Sequence, residues 1–241
     1  KLRNRILSNL KLVEGTFKVT DKEEFIKSVG NSVGRALTEL IFNKEFIAAK
    51  NKIKYENDIP ECLLIAKKNN KPVILVSGHF GQWEAVRILL KQNGFETGAI
   101  YRKNKNPFFE SMYLKNIRLG GEPIFPAGLA GTKRMIKHLK AGGILALLLD
   151  QAVSDGEDFK FFGLKAKTSM AIAELALKYN ATIVPCYGIR EPDGVSIRVV
   201  FEDPITDDNP RKIIQNINDS LEERVRTYPT QWHWLHNRWK V

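Results

Sequence analysis

The chain has 241 residues, 43% of them hydrophobic, with 38 Lys and Arg against 27 Asp and Glu and a formal net charge of +11. That length and apolar fraction fit one folded domain near the upper size of a single core; two distant cysteines, Cys62 and Cys186, exclude a disulfide framework or a paired-cysteine zinc site; and no apolar run approaches the roughly 20 residues that span a bilayer. The charge implies an anionic partner, whether nucleic acid, anionic lipid or an acidic protein, without choosing among them.

The first twelve residues interleave Lys1, Arg3, Arg5 and Lys11 with Leu2, Ile6, Leu7, Leu10 and Leu12. This is the pattern of a helix resting on an anionic bilayer, or of an amphipathic helix packed on the domain. Thr20 with Glu23 reads as a capping box for a helix running to about Asn43, and Asp58 with Glu61 repeats the signal before a helix ending near Asn70. Beyond this come strand 72–77, helix 82–92, strand 97–101, helix 107–118, strand 122–125, helix 129–140 and strand 143–149. A loop then leads to helix 168–179, strands 181–189 and 195–201, and helix 209–227. Short strands alternating with helices predict an α/β fold, with a mostly parallel central sheet flanked by helices on both faces. Pro192-Asp193-Gly194 predicts an antiparallel hairpin that closes the sheet. Residues 1–55 form the expected N-terminal helical extension, and residues 56–241 the α/β domain, the two together making one structural unit.

Chemistry concentrates in Val76-Ser-Gly-His-Phe-Gly-Gln-Trp-Glu84, which straddles a strand-to-helix turn. Within one helix His79 and Glu84 would point about 140° apart. With His79 before the helix and Glu84 inside it, the imidazole can fold back toward the carboxylate, which would fix its tautomer and stabilise its charged form. Gly78 and Gly81 are expected to leave room for substrate. A bare H-x-x-x-x-E pattern recurs by chance, as a capping histidine and a solvated glutamate. Here the pair lies at a strand's carboxyl end, where open α/β sheets hold their sites. Arg102 follows the next strand on the same rim, suited to a phosphate or a developing oxyanion, with Asn106 as helix cap and Pro107 at the first helical position. Asp150-Gln151 ends another strand there. Phe159, Phe161 and Phe162 form an aromatic loop that could line an acyl pocket or simply fill the core.

The order of these motifs, with Tyr101-Arg102, Phe161-Phe162-Gly163, Thr168, Val184-Pro185 and the tail Pro229-Thr-Gln-Trp-His-Trp-Leu-His-Asn-Arg-Trp-Lys, resembles the bacterial lipid A biosynthesis (lauroyl/myristoyl) acyltransferases. These are relatives of the glycerolipid acyltransferases that carry an H-x-x-x-x-(D/E) motif. The resemblance implies a glycerolipid acyltransferase-like fold and transfer of a fatty acyl group from acyl carrier protein, or acyl-CoA, to a hydroxyl of a membrane glycolipid. It matches His79 to a catalytic base, Glu84 to its acidic partner, Arg102 to the family arginine and Asp150 to an acidic position beside them. Gly78, Gly81, Trp83, Tyr101, Asn106, Gln151, Phe161 and Phe162 are then the expected substrate contacts, with no metal and no cofactor. An anionic membrane surface is the expected partner, at the cytoplasmic face of the bacterial inner membrane, with a native N-terminal anchor expected upstream of Lys1.

Rival readings are a hydrolase of acyl thioesters using the same base, transfer to a phosphatidylinositol mannoside, a Cys186 nucleophile, and a nucleic-acid binder resting on charge alone. Cys186 follows Val184-Pro185 in an apolar strand, and no zinc-finger or RNP pattern is present, so no nucleic-acid partner is expected. His233 and His236 lack a further ligand pattern for metal, and the tryptophan tail is expected to pack on the domain.

Overall fold

The computed structural model describes residues 1–48, 53–55 and 59–239, with the backbone alone at 54 and 55. Strands β1 (Ile53–Tyr55), β2 (Val73–Ser77), β3 (Thr97–Tyr101), β4 (Ile124–Pro126) and β5 (Ile144–Leu148) precede a hairpin of β6 (Glu157–Phe161) and β7 (Leu164–Thr168), and β8 (Thr182–Arg190) and β9 (Ile197–Phe201) follow. All but the hairpin form one seven-stranded sheet in the order β1-β9-β8-β2-β5-β3-β4. Its pairs are parallel except β8 with β9, which form the antiparallel hairpin expected at Pro192-Asp193-Gly194. That hairpin does not close the sheet, because the short β1 pairs beyond β9.

Strand β2 shows why the fold is layered. It is buried along its whole length, as a central parallel strand must be. Alternation sends Val73 and Leu75 against α4 (Glu61–Asn69) and α5 (Glu84–Gln92), and Ile74 and Val76 against α7 (Leu129–Lys140), α8 (Ala171–Tyr179) and α9 (Pro210–Thr227). Each such side chain contributes about 1.5–3 kcal/mol of burial. The mostly parallel sheet covered by helices is therefore the fold that the alternating pattern predicts.

Helices α1 (Leu2–Val13) and α2 (Lys22–Ile41) pack elsewhere, on the C-terminal tail. Ile6, Leu10 and Val13 of α1 and Phe25, Val29 and Val33 of α2 share a cluster with Phe161, Phe162, Trp232, Trp234 and Trp239. The apolar face of α1 thus lies on the protein, as the packed alternative required. Buried Asn9 fixes the contact by donating from Nδ2 to the carbonyls of Trp234 and His236, each at 2.8 Å.

Several local expectations change. Asp21, not Thr20, caps α2 by accepting from the Glu24 N–H, while Glu23 turns away to pair with Arg3. The proposed cap at Asp58 lies outside the described residues. Helix α8 starts at Ala171 because Thr168 belongs to β7. The aromatic loop is that same hairpin, turned by Phe162 and Gly163, both at positive φ (54° and 74°). Such a turn matches the twist of its strands. A bulky residue at positive φ is unfavourable, and Phe162 is held there by bonds from its N–H to Glu222 and from Thr16 Oγ1 to its carbonyl. Phe161 and Phe162 are fully buried among the tail tryptophans. They form core rather than an open acyl pocket.

Candidate active site

Parallel register brings the site together. Ser77 pairs with Leu148, and the Leu149 N–H donates to the Ser77 carbonyl at 3.0 Å, so His79 and Asp150 leave neighbouring strands at one level. The strands are about 4.8 Å apart. His79 sits at the centre of a three-residue turn closed by the Phe80 N–H on the Gly78 carbonyl at 2.8 Å.

Asp150 is buried and receives three bonds. His79 Nδ1 lies 2.7 Å from Oδ1, the His79 backbone N–H donates to Oδ2 at 2.9 Å, and Trp232 Nε1 donates to Oδ2 at 3.0 Å. With Nδ1 turned to a carboxylate, the neutral ring carries its proton there and presents Nε2 as a base. Nε2 has no hydrogen-bond partner among the described residues. Burial works against charge on the ring, but the Asp150 charge and hydrogen bond outweigh it, and the His79 pKa rises above the ordinary histidine value. For Asp150, burial opposes ionisation, yet the His79 charge and bonds prevail and hold its carboxyl well below the usual range.

Glu84 is not the ring's partner. It begins α5, and its Oε2 accepts from Arg87 Nη1 at 2.7 Å, with both residues buried. Arg87 also donates to the carbonyls of Gly121 (2.6 Å) and Thr97 (3.3 Å), tying α5 to the ends of α6 (Pro107–Leu119) and β3. The expected His79–Glu84 contact is therefore replaced by His79–Asp150. Five residues along the chain carried Glu84 to the first turn of α5 beside Arg87, whereas the adjacent strand delivered Asp150 to the ring.

The glycines also serve the backbone rather than leave substrate space. A Cβ on Gly78 would stand 2.8 Å from a δ carbon of Leu221 and 3.2 Å from Asp150 Cγ, so the small residue lets the carboxylate approach. Gly81 has φ +53°, and a Cβ there would overlap the Gly188 carbonyl oxygen. The turn is pinned on both sides: Gly81 N–H donates to the Gln231 carbonyl, Gln82 N–H to that of Gly188, and His233 N–H to that of His79, at 2.8–2.9 Å. The backbone donors of residues 79 to 82 are thus all bonded within the protein. They are therefore not free to form a backbone oxyanion hole at this turn.

Three further groups face the ring. Trp83 packs edge-on at 5.4 Å between centroids, His236 at 4.9 Å and His233 at 5.9 Å. His236 Nε2 is 3.2 Å from Gln151 Nε2. Burial lowers the His236 pKa and takes that of His233 down to about 4, so both are neutral neighbours at pH 7. Among the described residues no group of three or more His, Cys, Asp or Glu side chains is placed to hold a metal. The tail's part in the site was missed from sequence, because its Trp and His residues follow neither helical nor strand periodicity.

Arg102 is exposed, with no partner among the described residues, at the end of β3. Strand β3 lies two places from β2, about 10 Å across the sheet, so Arg102 shares the rim but does not touch His79. Asn106 is occupied in capping α6, accepting from the Phe108 and Phe109 N–H groups. The Tyr101 hydroxyl donates to Glu110 at 2.8 Å, bracing the same loop. Cys186 is buried with its thiol pKa pushed up by burial, which removes it as a nucleophile.

The family model described as bacterial lipid A biosynthesis acyltransferase matches residues 1–241. A phosphatidylinositol mannoside acyltransferase of Mycolicibacterium smegmatis is 26% identical over 69% of this chain and 56% of its own length. A lipid A biosynthesis acyltransferase of Haemophilus influenzae is 22% identical over 70% of this chain and 54% of its own. A lipid A biosynthesis myristoyltransferase of Escherichia coli is 25% identical over the same shares, 70% and 54%. The chain thus spans about half the length of the curated relatives it matches. Among the described residues no helix is long and apolar enough to cross a membrane.

Proposed function

The chain belongs to the bacterial lipid A biosynthesis acyltransferase family, and from that membership and the His79–Asp150 geometry we propose that it transfers a fatty acyl group from a thioester to a hydroxyl of a membrane glycolipid. The observation that carries the reading is an imidazole fixed at Nδ1 by a buried carboxylate, with Nε2 left without a hydrogen-bond partner among the described residues. An alcohol is a weak nucleophile at neutral pH. His79 takes its proton through Nε2 as the oxygen attacks the thioester carbonyl, and Asp150 offsets the charge the ring acquires. The tetrahedral intermediate then expels the thiolate, which recovers a proton from the imidazolium. No covalent enzyme intermediate is needed.

In this reading the oxyanion draws its donors from side chains around the ring, such as Trp83 and Gln151, since the turn's own N–H groups are bonded elsewhere. Glu84 acts indirectly, by clamping Arg87 and so fixing the start of α5 behind Trp83. Arg102 holds a phosphate of donor or acceptor at the far side of the rim. The donor is acyl carrier protein or acyl-CoA, and the acceptor a lipid A precursor or, as the mycobacterial relative's name suggests, a phosphatidylinositol mannoside. The site would work at the cytoplasmic face of the inner membrane.

Product analysis separates transfer from hydrolysis. With acyl carrier protein thioester and a glycolipid acceptor, the acyl chain should appear on the glycolipid, with little free acid in the acceptor's absence. Free fatty acid released at the same rate with or without acceptor would identify a thioesterase instead.

A further inference from the structure

The most exposed large apolar side chains among the described residues are Phe108 and Leu129, at 86% and 75%. Both stand in the first turn of a helix, α6 and α7, and those helices begin where the neighbouring parallel strands β3 and β4 end. The Ala127 N–H donates to the Tyr101 carbonyl at 2.8 Å and ties the two strand ends together. Helix α6 packs on Ala99, Tyr101 and Ile124, whereas α7 packs beside Phe125, whose side chain points to the other face of the sheet. Phe108 and Leu129 therefore stand astride the end of the sheet. Exposed Phe109 and Met112 extend the surface along α6.

Charge accompanies this apolar tip. Arg102, Lys103 and Lys105 are exposed on the loop between β3 and α6, where Lys103 lies within electrostatic reach of Glu110. Glu110, the acidic residue of that helix's first turn, is buried and receives bonds from Tyr101 and Asn104. Apolar tips ringed by cations at one end of a sheet, perpendicular to its strands, fit a flat anionic surface better than a curved one. His79 and Asp150 open on this same rim.

We propose that the end of the sheet bearing Phe108 and Leu129 docks on an anionic lipid bilayer, the two side chains entering the headgroup boundary while Arg102, Lys103 and Lys105 meet lipid phosphates. This rests on the glycolipid reading of the site and assigns its membrane-facing surface. The other membrane-contact element of the sequence, α1, is less available, since it buries Ile6, Leu10 and Val13.

Co-sedimentation of the purified chain with vesicles of phosphatidylglycerol and phosphatidylcholine, against phosphatidylcholine alone, tests it. Binding should require the anionic lipid. Phe108→Ser with Leu129→Ser should weaken it at least about tenfold, and Lys103→Glu with Lys105→Glu by a similar factor, with melting temperatures unchanged because all four side chains are solvated. Leu2→Ser with Leu12→Ser, on the exposed part of α1, should leave binding intact. Equal sedimentation of wild type and the Phe108/Leu129 variant overturns the proposal. So does a loss confined to the Leu2/Leu12 variant, or normal vesicle binding by the Phe108/Leu129 variant with lost binding to acyl carrier protein. Vesicle binding that maps to this surface in a chain without transfer activity keeps the docking face and rejects only the enzymatic reading.

Discussion

Asp150→Asn should lower acyl transfer on the order of 10³- to 10⁴-fold at pH 7, the scale seen when a carboxylate that orients a catalytic imidazole becomes an amide. An asparagine can keep the shape of the contact but not its charge, and its amide can present N–H to Nδ1. The ring would then place its own proton on Nε2, the nitrogen that must accept one. Burial of the position is complete, so water cannot readily substitute for the lost carboxylate. The same reasoning predicts that His79→Gln is about as damaging and that the double variant is scarcely worse, because the two residues act as one unit. Single-turnover transfer with purified variants checks this. A double variant whose loss equals the product of the single losses would separate the two residues.

Glu84→Ala should destabilise the fold by about 3–5 kcal/mol, since it leaves the Arg87 guanidinium buried without its counter-ion. Arg87 is only 3% exposed and Glu84 9%. In a chain of this size the loss corresponds to a melting temperature roughly 10 °C lower. The carbonyls of Thr97 and Gly121 still bond Arg87 and place the expected figure toward the lower end. Replacing the pair together, as Glu84→Leu with Arg87→Met, should restore much of the stability because no unpaired charge then remains. Thermal denaturation of the single and double variants distinguishes the roles. A Glu84→Ala protein that melts normally yet transfers no acyl chain would give that carboxylate a direct part in the reaction, as the H-x-x-x-x-E spacing suggested.

Most of the sheet was legible because β2, β3, β5 and β8 are apolar runs between helices of ordinary amphipathic pattern, and periodicity carries that information. The hairpin β6–β7 was legible in principle. Phe159 and Phe161 face inward while Asp158 and Lys160 face out, the two-residue period of a half-buried strand. It was obscured by its turn, since Phe162-Gly163 is not the Asn-Gly or Asp-Gly pair that marks such hairpins. The three-residue β1 is too short to show any period.

The site divides along a different line. That His79 and Asp150 lie on one rim follows from their places after apolar strands. Which carboxylate meets the ring does not, because it depends on β2 and β5 being neighbours with Ser77 opposite Leu148, and sheet order is not written in any single segment. The contribution of the tail was hidden for the same reason. Trp232 reaches Asp150, and His236 the His79 ring, only because α9 returns the chain to the rim and Asn9 anchors the tail from the other end of the sequence.

The base assignment has a direct signature in the pH dependence of single-turnover transfer. The His79 pKa is raised in the folded protein, and the base must be neutral to accept a proton, so the wild-type rate should climb through an apparent pKa above the ordinary histidine value of about 6.5. In Asp150→Asn the raising charge and bond are gone while burial still opposes the charged ring, so the residual rate should climb through a value below about 6.5. Identical acid limbs in the two proteins, or a wild-type rate independent of pH across this range, would contradict an Asp150-tuned His79 as the base.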